Sequence, residues 1–307
     1  MSKKLVSFLI IIMILINFSS TTVFSEPAVP KRMLVLGDSI STGYGLEGYA
    51  ENKANGYAQR LKSAFNIKDS DYLNLASDGL DSSQLLEFIK KLENKVLFKI
   101  YDSIFITIGG NDVLNRMVSE IDDFYNYLPE SLDGDIESVL DNLKKSADKM
   151  AAHLNEEKVK KGFQNQTDLF IKNFTEIISE LKKLAPDSSI YVQTIFNPFS
   201  GVYGFEKIES YGDVYLNQMN SAIKNTKGIK VADIYSAFKG KGLFLTNILS
   251  MDIHPNAQGH YKISTEIYNM IVPPEKNASN SIKAKKTSEK LAMSLKISVE
   301  YIEKISN

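Results

Sequence analysis

The sequence contains no cysteine and only three histidines among its 307 residues. The lack of cysteine excludes disulfide bonds, a thiolate nucleophile, a cysteine-ligated zinc site and acylation as a lipoprotein. Three histidines, at positions 153, 254 and 260, argue against a polyhistidine metal centre. Positive and negative charges are nearly balanced, because 36 basic and 37 acidic residues leave a formal net charge of −1. Nucleic-acid binding needs a concentrated basic face, so we expect no nucleic-acid partner.

The N-terminal segment lacks an apolar run of the length that an ordinary membrane span needs. Lys3 and Lys4 precede LVSFLIIIMILINF (5–18), and polar and small residues follow through Ser25. A spanning helix takes about 20 apolar residues, so residues 1–25 are predicted to be a signal peptide. A retained anchor is the alternative. Export without cysteine is typical of a bacterial protein, which we expect to be secreted or associated with the cell surface.

Short apolar runs alternate with longer amphipathic stretches from residue 33 onward. The helical pattern is plainest in residues 82–96 and 168–186, where apolar residues recur at intervals near 3.6. The alternation predicts an α/β protein, a three-layer α/β/α sandwich around a five-stranded parallel sheet. The predicted strands are MLVLG (33–37), YLNLA (72–76), SIFITIG (103–109), SIYVQTI (189–195) and IKVAD (229–233).

The predicted organisation is a main domain, residues 26–274, followed by a tail, residues 275–307. The tail and one segment within the main domain differ from the alternating pattern. Residues 114–165 are charged and mostly helical, and are predicted to be an insert, either a lid or a solvated excursion. Its Phe124, Tyr125, Tyr127 and Leu128 offer an apolar wall for an acyl chain. The tail weakly resembles the helical half of a LysM cell-wall-binding repeat, although that module's glycine-aspartate start and second strand are missing. A plain helical tail is the alternative.

Four separated residues have the chemistry of acyl transfer and fall beyond predicted strand ends, where active sites of parallel sheets collect. Ser39 follows the first strand and would be a nucleophile, which needs a base such as His254. The N–H groups of Gly79 and Ser39 and the amide of Asn111 would stabilise an oxyanion. Singly, Ser39 also fits a helix cap, Asn111 a turn residue and Gly79 a positive-φ position.

The segments that carry these residues, GDSI (37–40), the glycine at 79, GGND (109–112) and DIHPN (252–256), resemble in order the four blocks of the SGNH, or GDSL-type, hydrolases. The resemblance covers roughly residues 31–272. It implies a flavodoxin-like α/β/α fold and ester hydrolysis through a covalent acyl-serine, with no metal or organic cofactor. It implies Ser39 as nucleophile and oxyanion donor, Gly79 and Asn111 as the other donors, and His254 as general base.

The acid partner of His254 departs from the family pattern. The family usually places an aspartate three residues before the histidine, where this chain has Met251, and Asp252 stands two residues before it. Either Asp252 or a backbone carbonyl would then orient the ring. Asp38 is predicted to fix its loop by hydrogen bonds. His260 is predicted at the surface or behind the site, and His153 in solvent.

The sequence therefore predicts a secreted serine esterase or lipase that acts on a small-molecule or lipid ester. Removal of O-acetyl groups from cell-wall polysaccharide is the alternative reaction, which export and the tail would suit. A non-catalytic binding protein on a hydrolase scaffold is the alternative class. It is considered because Met251 stands where the family usually has the acid.

Overall fold

The computed structural model describes residues 29–51, 53–92, 95–120, 136–250 and 252–273. The predicted signal peptide, the apolar side chains at 124–128, Met251 and the tail at 275–307 lie outside these ranges. No helix within the described ranges combines the length and hydropathy that crossing a membrane requires.

Five parallel strands form one sheet, which confirms the predicted fold class. The sheet order is β2-β1-β3-β4-β5, and every neighbouring pair is parallel. Runs rich in Val, Ile, Leu and Phe suit strands that are buried on both faces. The strands are β1 (Met33–Gly37), β2 (Tyr72–Asn74), β3 (Ser103–Thr107), β4 (Ser189–Gln193) and β5 (Lys230–Ala232).

Successive strand residues face opposite sides of the sheet and supply two separate cores. Leu34 and Ile104 belong to one cluster, and their neighbours Val35 and Phe105 belong to the other. This is the period of two expected of a strand. Helices cover both faces and complete the three layers, because each buried face needs an apolar partner.

Eleven α-helices occur in the described ranges, together with short 3₁₀ turns at Asp69–Asp71 and Ile248–Ser250. Helices α3 (Ser82–Lys91) and α7 (Glu157–Leu184) pack on one side of the sheet, and helices α2 (Tyr57–Ala64) and α11 (Ala257–Ile271) pack together on the other. The helices are α1 (Ser39–Thr42), α2 (Tyr57–Ala64), α3 (Ser82–Lys91), α4 (Leu97–Ile100), α5 (Gly110–Glu120), α6 (Ile136–Leu154), α7 (Glu157–Leu184), α8 (Glu206–Asn225), α9 (Ile234–Phe238), α10 (Gly242–Leu245) and α11 (Ala257–Ile271).

The bounds of several elements differ from those predicted. Residue 233, predicted as the end of a strand, instead caps α9, because its carboxylate accepts the Ser236 N–H at 3.2 Å. The predicted helix 82–96 ends at Lys91, and the predicted helix 168–186 begins earlier, at Glu157. Both ends of the segment 114–165 fall inside helices, α5 and α7. In addition to the two clusters on the faces of the sheet, a third apolar cluster joins α6, the start of α7 and α8.

The prediction of His260 at the surface is wrong. Its side chain is fully buried among apolar residues on one face of α11, and Nδ1 accepts the Tyr57 N–H at 3.2 Å at the start of α2. Burial lowers the pKa of His260 to about 3, so the ring stays neutral. His153 is half-buried, and its Nδ1 lies 3.2 Å from Glu156 Oε1.

Candidate active site

The nucleophile candidate lies where β1 turns into the short helix α1. Asp38 is the N-cap, and its Oδ1 accepts the Ile40 N–H at 3.1 Å. Ser39 is the first residue of the helix, so its N–H has no partner inside the helix. The turn therefore presents both the hydroxyl and the N–H of Ser39 at the carboxyl end of the sheet.

A chain of hydrogen bonds joins Ser39, His254 and Asp252. Ser39 Oγ lies 2.8 Å from His254 Nε2, and His254 Nδ1 lies 2.5 Å from Asp252 Oδ1. A carboxylate only accepts, so the Nδ1–H of the ring donates to Asp252. The neutral ring then has its lone pair on Nε2, facing the hydroxyl proton of Ser39. The geometry is that of a serine, a base and an orienting acid.

The loop ahead of α11 holds Asp252 in place and decides between the two predicted partners of His254. Asp252 Oδ1 also accepts the His254 N–H at 3.0 Å, and Asn247 Nδ2 lies 3.4 Å from Oδ2. The Asn247 N–H in turn donates to the carbonyl of His254 at 2.9 Å. Asp252, two residues before the histidine, thus occupies the orienting position. Partial burial opposes ionisation, but the hydrogen bonds from His254 outweigh it and lower the pKa of Asp252.

Gly45 lies where the loop after α1 comes closest to the loop that carries Asp252 and His254. Its φ is +82°, and a Cβ there would lie 2.9 Å from Asp252 Oδ2 and 3.0 Å from Asn247 Nδ2. Any side chain at 45 would therefore push into the acid and its support. The glycine lets the loop after α1 approach the loop that holds the base.

Gly79 and Asn111, the other two predicted oxyanion donors, lie on neighbouring segments, the turn after β2 and the first turn of α5. Asn111 lines the same cavity as Ser39 and His254, and one of its two amide hydrogens is donated to the Leu80 carbonyl at 3.0 Å. The second remains for an oxyanion. Gly79 precedes Leu80, has a φ of +73° and is exposed, and within the described ranges nothing accepts its N–H. The hydrogen bond from Asn111 thus joins the start of α5 to the turn that holds Gly79.

A buried carboxylate supports this pairing from behind. Asp112 accepts the hydroxyl of Ser82 at 2.5 Å and its N–H at 3.0 Å. Asn173 Nδ2 on α7 donates to the same hydroxyl oxygen at 3.1 Å. Burial raises the pKa of Asp112 above its ordinary value, and the hydrogen bonds from Ser82 limit this shift. The start of α3 and the start of α5 are therefore fixed to each other.

Four residues at the mouth of the site were not predicted from the sequence. Asp78, next to Gly79, accepts the Thr42 hydroxyl at 2.6 Å and also the Tyr49 hydroxyl, which connects the donor turn to α1. The half-exposed Tyr44 ring lies 4.6 Å from the His254 ring, between centroids. In the sequence, only the position of Asp78 beside Gly79 points to a role at the site. The hydrogen bonds from Thr42 and Tyr49 to Asp78 depend on the conformation of the loops, which the sequence does not specify.

Asp38 anchors a buried polar network beneath the nucleophile, as predicted for its loop-fixing role. Its Oδ1 accepts the Thr107 hydroxyl at 2.7 Å. Thr107 Oγ1 lies 2.6 Å from Ser41 Oγ, which lies 2.8 Å from the Tyr57 hydroxyl. Burial raises the pKa of Asp38 to about 6, and the hydrogen bonds from Thr107 and Ile40 limit the shift.

We expect the substitution Asp38→Asn to change how stability depends on pH. The folded-state pKa of about 6 exceeds the ordinary 3.8, so folding favours the protonated acid. The favourable contribution of the protonated form is complete below pH 3.8 and is lost as pH rises through about 6. The unfolding free energy of the asparagine variant, minus that of the wild type, should grow by roughly 2 to 3 kcal/mol between pH 4 and pH 7.5. Denaturant titrations at several pH values measure it, and a difference that stays constant with pH would contradict the raised pKa.

An apolar cavity of about 190 Å³ opens beside Ser39 and His254. Two amide side chains of the described residues line it, Asn111 and Asn197. Asn197 is already engaged, because Nδ2 donates to the Glu209 carbonyl and the Asp213 carboxylate, and Oδ1 accepts the Phe199 N–H. The cavity therefore offers a ligand almost no polar partner beyond the reacting groups. Its apolar lining includes Ile40, Val113, Leu114, Met117, Leu154, Phe163, Ile195, Phe196, Phe199, Ile208, Tyr211 and Leu216.

The described ranges hold no cluster of three or more His, Asp or Glu side chains suited to a metal ion. The side-chain groups that the described ranges bring together at the site are a hydroxyl, an imidazole, a carboxylate and an amide.

Comparison with known proteins identifies the family. Residues 35–262 match the model of the GDSL-like Lipase/Acylhydrolase family. The uncharacterized protein YpmR of Bacillus subtilis (strain 168) is 24% identical over 243 residues, which cover 77% of this chain and 79% of YpmR. The lipase Lip_vut3 from a goat rumen metagenome has a TM-score of 0.55 at 18% identity, covering 78% of this chain and 96% of its own. Phospholipase A1 from Streptomyces albidoflavus NA297 has a TM-score of 0.48 at 17% identity, with coverages of 78% and 98%.

Proposed function

The chain belongs to the GDSL-like lipase/acylhydrolase family, and on this premise we propose that it hydrolyses esters of apolar acyl groups through a covalent acyl-Ser39 intermediate. The observation that carries the proposal is the hydrogen-bonded chain Ser39–His254–Asp252 on the wall of an apolar cavity.

Each step of the proposed reaction uses a contact already described. His254 Nε2 takes the Ser39 proton as Oγ attacks the ester carbonyl, and the Nδ1–H bond to Asp252 stabilises the charged ring. The N–H groups of Ser39 and Gly79 and the amide of Asn111 hold the oxyanion. When the C–O bond to the alcohol breaks, His254 returns its proton to the leaving oxygen. Water, activated by the same base, then releases the acid and restores Ser39.

The cavity favours an acyl chain over an acetyl group on a polysaccharide. An acetyl group would leave most of the apolar volume unfilled, whereas an alkyl chain would bury surface there at about 25 cal/mol per Å². The hydrogen bond from His254 to Asp252 favours a catalytic protein over a non-catalytic scaffold, because Asp252 can orient the ring where Met251 could not.

Labelling with a fluorophosphonate tests the proposal directly. An activated serine reacts with this probe, and we expect one label per chain on the peptide that contains Ser39, together with hydrolysis of p-nitrophenyl esters by the same sample. Prior labelling should abolish the hydrolysis. A folded protein that neither takes the label nor hydrolyses any ester of the series would support the binding-scaffold interpretation instead.

We also propose that the protein is exported. The support is the basic, apolar and polar order of residues 1–25 in the sequence. N-terminal sequencing of the protein from the culture medium of an expressing bacterium should find a chain that begins near Glu26. Recovery of an uncleaved chain in the membrane fraction would favour the retained anchor.

A further inference from the structure

The cavity extends from the site along one face of helix α5. Asn111, Leu114 and Met117 all line it, and their spacing of three places them along one face of the helix. Met117 lies six residues beyond Asn111, about 9 Å further along the helix axis. A chain attached to Ser39, with its oxyanion at Asn111, would therefore run along this face towards Met117.

Helix α7 contributes to the wall of the cavity near Met117, which packs against the cluster that contains Phe163. Phe163 is almost fully buried, lines the cavity, and its ring centroid lies 5.3 Å from that of Tyr211. The preceding residues of the two helices are in close contact, since a Cβ on Gly162 would lie 2.0 Å from Arg116 Nη2. The two helices therefore leave no gap between them at this point. Leu154 on α6 packs in the same cluster as Phe163.

From this geometry we infer that the cavity binds the acyl chain of medium-length esters and that Phe163 sets the limit on chain length. The inference rests on the proposed function and names its substrate class. An apolar cavity of 150 Å³ holds benzene, so this one should accept an acyl chain of about six to ten carbon atoms. Longer chains would meet the Phe163 ring.

The cavity is assigned to the acyl group because of where the alcohol must leave. His254 donates the proton to the leaving oxygen, and the half-exposed Tyr44 ring beside it marks the solvent side of the site. The acyl group stays on Ser39 until water arrives, so it is the part of the substrate that an apolar cavity beside Ser39 would retain.

Chain-length profiles of the full-length protein test the inference. For p-nitrophenyl esters from C2 to C16, kcat/KM should rise by about threefold to fourfold per added CH₂ while the cavity fills, pass a maximum near C6 to C10, and then fall. Phe163→Ala should move the maximum by two or more carbons towards longer chains and raise kcat/KM on the C14 ester by about tenfold. Leu114→Phe, which fills the cavity, should move the maximum the other way.

Phe174→Ala is the matched control. Phe174 is a fully buried phenylalanine on the same helix, but it packs in the sheet-facing core and does not line the cavity. It should lower the melting temperature comparably and leave the profile unchanged. If Phe163→Ala does not fold, Phe163→Leu gives the same test with a smaller shift.

Two results would overturn the inference. One is a Phe163 variant whose profile parallels that of the wild type. The other is a shift that appears with acetate esters of alcohols of increasing length, since the cavity would then hold the alcohol. Both differ from failure of the proposed function, which would appear either as no ester hydrolysis at all or as hydrolysis that does not depend on Ser39.

Discussion

Replacing Ser39 with alanine is expected to lower kcat/KM for p-nitrophenyl esters by roughly 10⁴- to 10⁶-fold, the largest loss that any single substitution should produce. The hydroxyl is the group that forms the acyl bond, and its hydrogen bond to His254 Nε2 at 2.8 Å shows that the base is in position to accept its proton. The oxyanion donors and the cavity would remain, so weak hydrolysis above the uncatalysed rate should persist.

The same substitution should leave the fold intact. Within the described ranges, the Ser39 hydroxyl has no hydrogen bond except that to His254, so its removal leaves no buried core group unsatisfied. Thermal melts should therefore coincide with those of the wild type. Ser63→Ala, at an exposed position on α2, serves as the control and should retain full activity and labelling. Hydrolysis by Ser39→Ala at the wild-type rate would disprove the acyl-Ser39 mechanism.

Asp252→Asn is expected to lower kcat by roughly 10²- to 10⁴-fold with little change in KM. The asparagine can present its NH₂ to Nδ1, which would move the ring proton to Nε2 and remove the lone pair that faces Ser39. The 2.5 Å bond from Nδ1 to Asp252 Oδ1 is the contact that holds the productive tautomer. Steady-state kinetics on one medium-chain ester separate the two constants.

Asp69→Asn provides a control with the same loss of charge. Asp69 forms an exposed ion pair with Lys62 in a turn before β2, and exposed pairs contribute little to stability. The rate of phosphonate labelling gives an independent measurement, because it needs the activated serine but no leaving alcohol, and it should fall in parallel with kcat for Asp252→Asn. An unchanged labelling rate would mean that the backbone, and not Asp252, orients His254.

The sheet was predictable because its signals are local. Each strand is a short apolar run, and the alternation with amphipathic helices admits few topologies. The bounds were less accurate where a polar side chain ends an element, as residue 233 does by capping α9. The position of His260 was missed for a related reason: a histidine on a helix gives no sign that its ring will face the core and accept the Tyr57 N–H.

The residues of the site and their order along the chain were determined by the sequence alone, because nucleophile, base and oxyanion donors are each restricted to a few residue types. Tertiary structure decided how they are connected. Only the folded loop places Asp252 against His254, and only the packing of α5 and α8 against α7 brings scattered apolar residues together around one cavity. The physical reason is that hydrogen bonds and cavities depend on distances between segments far apart in sequence, such as the 2.8 Å between Ser39 and His254. Spacing along the chain does not specify those distances.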